Sequence, residues 1–206
     1  MGQKGVLAVI SGFSGAGKGT VVKRLLEQHE YSLSISATTR APREGEGHGR
    51  EYFFLTREEF ESMIEAKGLI EWAQFVGNYY GTPKAYVESC LAEGRDVILE
   101  IELQGALQVR EQFPDAVMIF ITPPTAEELE RRLVGRGTET MDVIRQRLAR
   151  AGEECHYMDQ YDYLVINDDL QTCVDQIHSI IQCAKCQSGR NAALIADISQ
   201  QLQQYK

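Results

Sequence analysis

Gly12-Phe13-Ser14-Gly15-Ala16-Gly17-Lys18-Gly19-Thr20 is the stretch on which the fold turns. It follows Val6–Ile10, an apolar run of strand length, and precedes Val21, Val22, Leu25 and Leu26, which keep one helical face apolar. Strand, glycine-rich turn with one lysine, and helix form the context that a phosphate-binding loop requires. The glycines let successive N–H groups point into one concavity, and the helix N-terminus adds its partial positive charge. Lys18 then reaches the β- and γ-phosphates of a nucleotide. The residue after such a lysine is usually Ser or Thr, whose hydroxyl meets Mg²⁺; here it is Gly19, with Thr20 following. The metal is therefore expected to be held mainly by phosphate oxygens and water, while Thr20 offers its hydroxyl to a phosphate.

Outward from the loop, strand-like runs alternate with helical periodicity. Val97–Ile101 is followed by a helix through Ala106–Gln112 and by the run Val117–Ile121. Leu129 and Leu133 mark another helix, as do Ile144, Leu148 and Ala151; Tyr163–Ile166 reads as the last strand, before a helix with Val174, Ile177 and Ile181. The alternation predicts an α/β protein, a parallel sheet sandwiched between helices. Between Ser36 and Tyr86 the pattern changes to short strands (Tyr52–Leu55, Gln74–Val76) and a helix around Phe60–Ile64, broken by Arg, Gly, Tyr and acidic residues. That reads as an inserted mixed α/β subdomain contributing polar contacts. Gly135–Asp142 is short, charged and glycine-bearing, as a mobile flap would be. The glutamine-rich tail after Ser188 has Ala193, Leu194, Ile195, Ile198 and Leu202 at near-helical spacing, a surface helix or packing arm.

Composition narrows the function classes. The chain of 206 residues is 43% hydrophobic, enough for a core, yet its apolar runs are far too short to span a bilayer. A formal net charge of −9 argues against a nonspecific nucleic-acid binder but not against a small anion held by converging arginines. Met1–Gly5 leads directly into the first strand, so no signal peptide is expected and the predicted setting is cytoplasmic. Cys183-Ala-Lys-Cys186 lacks a second pair or nearby histidines and reads as unlinked thiols on a helix.

Three constellations bear chemistry. Val97-Ile98-Leu99 ends in Glu100-Ile101-Glu102, whose carboxylates share one strand face by its two-residue period. They suit a magnesium shell or a ligand's donors; a solvated strand edge is the alternative. Arg132 and Arg136, four apart on a helix, and Arg147 suit the spread charge of phosphoryl transfer, or else an ordinary salt-bridged surface with Glu127, Glu128 and Glu130. In the insertion, Arg40, Arg43, Tyr52 and Tyr80 are natural ligands of a phosphate dianion. Glu71 or Glu102, with Ser36 and Thr82, match guanine, whose N1–H and N2 amine want a carboxylate and whose O6 and N7 want donors.

Taken together these segments resemble the guanylate kinase family over roughly Val6 to Asp169. The resemblance rests on Ser36-Ala37-Thr38-Thr39-Arg40-Ala41-Pro42-Arg43, Gly49-Arg50-Glu51-Tyr52, Glu71-Trp72-Ala73-Gln74, Gly77-Asn78-Tyr79-Tyr80-Gly81-Thr82 and the lid-like Arg132–Glu139. It implies that Arg40, Arg43, Tyr52 and Tyr80 bind the GMP phosphate and that Ser36, Glu71, Thr82 and Glu102 read guanine. Gly12 to Thr20 would hold ATP, with Asn167 of Asn167-Asp168-Asp169 near the adenine. Lys18, Arg132, Arg136 and Arg147 would serve catalysis, and Glu100 would meet Mg²⁺ through water. The family's strand-end motif is often Asp-x-Asp, so Glu100 and Glu102 leave open which carboxylate serves metal and which guanine. Thr82 stands where serine is frequent.

The resemblance further implies a P-loop NTPase three-layer fold with a five-stranded parallel core sheet over 1–35, 86–126 and 148–206, an inserted mixed α/β GMP-binding subdomain over 36–85 and a short lid over 127–147. The implied reaction uses ATP with Mg²⁺ to convert GMP, and dGMP, to GDP or its deoxy counterpart by in-line transfer. No nucleic-acid or membrane partner is expected; the oligomeric state stays open, a homodimer included. The rivals are a phosphopeptide-binding module of the same fold, which typically lacks the phosphate loop, and a kinase for a different acceptor.

Overall fold

The computed structural model describes residues 4–75, 77–135, 137 and 140–205. In chain order its first half runs β1 (Leu7–Gly12), α1 (Lys18–Gln28), β2 (Ser32–Leu33), β3 (Ala37–Thr38), β4 (Phe53–Phe54), α2 (Arg57–Glu65), β5 (Leu69–Phe75), β6 (Asn78–Pro83) and α3 (Lys84–Ala92). There follow β7 (Val97–Glu100), α4 (Leu103–Gln112), β8 (Val117–Thr122), α5 (Ala126–Gly135), α6 (Met141–Glu154), β9 (Tyr163–Ile166), α7 (Leu170–Lys185) and α8 (Ala192–Gln203).

All six residues of β1 are buried, as in a strand covered on both faces. It is the middle of a five-stranded sheet ordered β2-β7-β1-β8-β9, in which every pairing is parallel. Parallel neighbours need long crossovers, and the amphipathic helices supply them while covering both faces. Val21, Val22 and Leu25 of α1 and Val174, Ile177 and Ile181 of α7 are buried in this core. The three-layer α/β reading therefore holds. β2 is only two residues long and α3 only nine, and neither stood out in the sequence.

A second sheet, β4-β3-β6-β5, has its own small core of Ala37, Phe60 and Leu69. Its helix α2 starts with a reciprocal cap: Glu59 N–H donates to the Thr56 hydroxyl at 3.1 Å, and Thr56 N–H to the Glu59 carboxylate at 2.7 Å. The expected strand at Tyr52–Leu55 is the two-residue β4, parallel to β3. Gln74 lies near the end of the longer β5, which pairs antiparallel with β6. Val76, Arg136, Thr138 and Glu139, assigned above to a strand or the flap, lie outside the described residues. The tail forms α8, none of whose residues is buried. Among the described residues no helix is long and apolar enough to cross a membrane.

The large core is tied at its rim by Asp96, 6% exposed. Its Oδ1 accepts the Val6 N–H at 2.9 Å and its Oδ2 meets Lys185 Nζ at 2.6 Å, joining the starts of β1 and β7 to the end of α7. Asp96→Ala strands the buried Val6 N–H and is expected to cost about 1–3 kcal/mol. Urea unfolding measures this; stability equal to the parent's would show that the clamp contributes nothing.

Candidate active site

The phosphate loop is built by close backbone approach. Gly12 ends β1 where a Cβ would stand 2.2 Å from the Ile121 carbonyl oxygen, so no other residue fits. Gly15 and Gly17 have φ of 97° and 94°, the left-handed region in which glycine is at ease, and Gly17 caps α1. Ala16 N–H donates to Phe13 O at 3.0 Å, and both Thr20 and Val21 N–H groups reach Gly17 O at 3.1 Å. Phe13 anchors the loop in the core, its ring edge-on to Phe120 at 4.9 Å. Lys18 folds over the loop, donating to Gly12 O at 2.6 Å and Phe13 O at 3.4 Å, and stands 4.0 Å from Glu102 Oε1.

Residues distant in sequence converge on this loop. Asn167, 7% exposed at the end of β9, donates from Nδ2 to Ala16 O at 2.8 Å. Arg132 of α5 donates to Asn167 O at 2.8 Å and to Ala16 O at 3.4 Å, while its Nε meets Glu128 at 2.6 Å. Arg147 of α6 donates to the Ser14 hydroxyl. Arg131 and then Arg132 pull the Glu128 carboxyl down to about 2, so it stays charged at any physiological pH. Arg136 lies outside the described residues.

The two strand-end carboxylates part company. Strand β7 stops at Glu100, and Glu102 becomes the cap residue of α4, so they no longer share a strand face. Glu100 lies beside the start of α1: a Cβ on Gly19 would be 3.6 Å from its Oε1. Desolvation lifts the Glu100 carboxyl above its ordinary value, with Lys18 opposing and Glu102 adding to the rise. Glu102 faces both Lys18 and, at 3.6 Å, Arg150 of α6. Gly19 thus leaves room for a carboxylate where a hydroxyl-bearing side chain is usual.

The second sheet carries the other polar set. Arg40 Nη2 donates to both oxygens of Glu46 at 2.9 Å, and the guanidinium lies 5.4 Å from the Tyr52 ring centroid. Tyr52 and Tyr80 meet edge-on at 6.2 Å. Arg43 contributes its main-chain N–H to Glu46 at 2.7 Å, and Ser36 its carbonyl to Phe53 N–H at 2.9 Å. Glu71 of β5 is 8% exposed, and its Oε1 accepts the hydroxyl of fully buried Thr82 at 2.6 Å. Burial raises the Glu71 carboxyl above its ordinary value, and the Thr82 hydroxyl works against that rise.

Glu46 escaped the sequence reading as the partner of Arg40, while Glu128 stood there as a salt-bridge partner of Arg132. The first pairs across a loop with no period to betray it; the second was visible only as an alternative to a functional role. Arg132 turns out to have both kinds of contact at once.

Comparison with known proteins bears on the whole arrangement. A family model described as guanylate kinase matches residues 4–184. A guanylate kinase of Bacillus cereus (strain ZK / E33L) is 52% identical over 202 residues, covering 97% of this chain and 98% of the relative. One from Bacillus subtilis (strain 168) is 53% identical over 183 residues, 88% of this chain and 90% of the relative. The crystal structure of guanylate kinase from Anaplasma phagocytophilum superposes with a TM-score of 0.71 at 35% identity, covering 92% of this chain and 90% of that one. Matched by the family model over most of its length and half identical to these relatives, the chain belongs to the guanylate kinase family.

Proposed function

We infer that the chain transfers the γ-phosphoryl group of ATP to GMP, yielding ADP and GDP, in a cytoplasmic setting. The observation that carries the acceptor assignment is the buried Glu71 carboxylate beside the Thr82 hydroxyl, on a sheet that also bears Arg40, Tyr52 and Tyr80. A buried carboxylate that has one hydroxyl donor keeps further acceptor capacity, and guanine's N1–H and N2 amine supply two donors for it, which adenine does not. dGMP presents the same base and phosphate and is proposed as a second acceptor.

The roles follow from the contacts. Lys18 exchanges the Gly12 and Phe13 carbonyls for β- and γ-phosphate oxygens, and loop N–H groups from Gly12 to Thr20 complete the cradle. Arg132 and Arg147, with Arg136, neutralise the charge spread over the transferred group. Asn167 bounds the adenine side. Arg40, Arg43, Tyr52 and Tyr80 hold the acceptor phosphate; Ser36, Glu71, Thr82 and Glu102 read the base. The described residues contain no cluster of three His, Cys, Asp or Glu groups suited to a metal. Mg²⁺ would instead be held by phosphate oxygens and water, with Glu100, beside the start of α1, receiving its waters. Bound there, the metal would neutralise β- and γ-oxygen charge. The acceptor's own phosphate oxygen attacks, so these residues bind, align and exclude water and none removes a proton. We propose 127–147 as the lid, 36–85 as the acceptor subdomain and 1–35, 86–126 and 148–206 as the core.

A coupled ADP-release assay across GMP, dGMP, AMP, UMP and CMP tests the acceptor: turnover is expected with GMP and dGMP alone, and AMP or a pyrimidine used as well as GMP would overturn it. Lys18→Ala is expected to lower kcat at least about a hundredfold with an unchanged circular dichroism spectrum. Near-normal turnover in that variant would remove Lys18 from the mechanism. Glu71 must be ionised to accept from guanine, and its raised value means protonation starts at a higher pH than for an ordinary glutamate. Acidification from about pH 8 to about pH 5.5 should therefore depress kcat/KM for GMP more in the parent than in Glu71→Gln, leaving KM for ATP level. Identical profiles would contradict a role for the Glu71 charge.

A further inference from the structure

Glu71 is held from a direction that neither its strand nor its base-reading role explains. Strand β5 lies at the edge of its sheet, so alternate peptide groups along it lack a strand partner. Helix α4 of the large core supplies side-chain amides in place of one. Gln108 Oε1 accepts the Trp72 N–H at 3.2 Å, and its Nε2 donates to Trp72 O at 3.4 Å. One turn on, Gln112 Nε2 donates to Ile70 O at 2.6 Å. The peptides on either side of Glu71 are thus both tied to α4. Gly105 completes the face: it precedes Gln108 by three residues and Gln112 by seven, on the same side of the helix. A Cβ there would lie 2.9 Å from Glu71 Oε2, 3.3 Å from Cδ and 3.4 Å from Cγ.

We propose that Gly105, Gln108 and Gln112 are positioning residues for the Glu71 carboxylate and thereby set the enzyme's preference for guanine. The two glutamines fix where the Glu71 backbone stands, and the missing side chain at Gly105 fixes which way the carboxylate lies. The helix brings its first turn against that carboxylate, where unpaired N–H groups favour negative charge. The atoms a Cβ would displace are the far end of a flexible side chain, so a methyl at 105 turns the carboxylate aside before it disturbs the fold. This inference rests on Glu71 as the guanine contact.

Inosine monophosphate separates positioning from mere stability, because hypoxanthine keeps O6, N7 and N1–H and lacks only the N2 amine. The full-length enzyme, Gly105→Ala, Glu71→Ala and the double variant are assayed for kcat and KM with GMP and IMP, and for KM with ATP. Gly105→Ala is expected to raise KM for GMP about tenfold and lower the GMP-over-IMP preference about fivefold, with KM for ATP within about twofold. In the Glu71→Ala background the same substitution should add less than about twofold, since its effect passes through Glu71. Gln108→Leu, which adds no bulk beneath the carboxylate, should shift the preference in the same direction by about threefold and carries the test if Gly105→Ala does not fold. A parental preference in both α4 variants, while Glu71→Ala loses it, overturns the positioning role and leaves Glu71 standing. A Gly105→Ala effect undiminished without Glu71 overturns it too. If Glu71→Ala itself keeps the preference, the reading of Glu71 falls and this inference with it.

Discussion

Everything that gathers at the phosphate loop depends on the absence of side-chain bulk at Gly15 and Gly17. A Cβ on Gly15 would stand 2.8 Å from Leu133 Cδ2 and 3.3 Å from Leu129 Cδ1, the two buried residues of α5. A Cβ on Gly17 would stand 2.5 Å from Asn167 Nδ2. The apolar stripe of α5 therefore rests directly on the loop, and Asn167 reaches the Ala16 carbonyl from the far edge of the sheet. Arg132 comes with α5, and its bond to Asn167 O ties helix and strand end together over Ala16. Close-packed interiors do not accommodate even one added methyl without displacement. Bulk at either glycine would push away Leu129 and Leu133, or Asn167, and with them the Arg132 contacts, not only distort a turn.

The cations at the site are held before any nucleotide charge reaches them. Arg40 grips Glu46 with two bonds, Arg132 is bonded to Glu128, and Lys18 stands near Glu102. In a chain of net charge −9 such partners are plentiful. Each carboxylate has the planar, two-oxygen geometry that a phosphate also presents to a guanidinium. The loss of side-chain freedom is thus met largely on folding and not again on binding. Ion pairs that water reaches add little to stability, so a more highly charged phosphate can displace the carboxylate without a large penalty. The either-or posed by the sequence, catalytic arginines or a salt-bridged helix surface, has no content for Arg132.

The parts that could be read from the sequence share one property: their signal lies within a single element. The buried runs of β1, β7 and β8, the stripes of α1, α5, α6 and α7, and the loop motif between Gly12 and Thr20 all carry their own period or spacing. β9 was legible to the residue for the same reason. The two-residue strands β2, β3 and β4 are too short for any period, and their pairing is decided by partners elsewhere in the chain. α3 has only Val87, Cys90 and Leu91 to mark its buried face. Glu46 and Gly105 were beyond reach because each matters through a residue that tertiary structure alone brings near. The resemblance to a family supplied the acceptor set; periodicity gave only a polar insertion.

The change at Glu100–Glu102 connects these threads. As a strand face, the pair would have presented two equivalent carboxylates at one sheet edge. Ending the strand at Glu100 and starting α4 at Leu103 separates them, one beside Gly19 and the other at the head of a helix. That helix is seated in the large core by Ala106 and Val109, both fully buried. Its cap residue faces Lys18, its first turn faces Glu71, and its two glutamines hold β5. The small sheet has a core of its own but also lends Ile70 of β5 to the large one, on the same stretch of strand that α4 holds. A helix is stiff over ten residues, which makes α4 a ruler between the phosphate loop and the buried carboxylate. With Glu71 as the proposed base contact, the packing of this one helix would set the acceptor side of the distance that phosphoryl transfer requires.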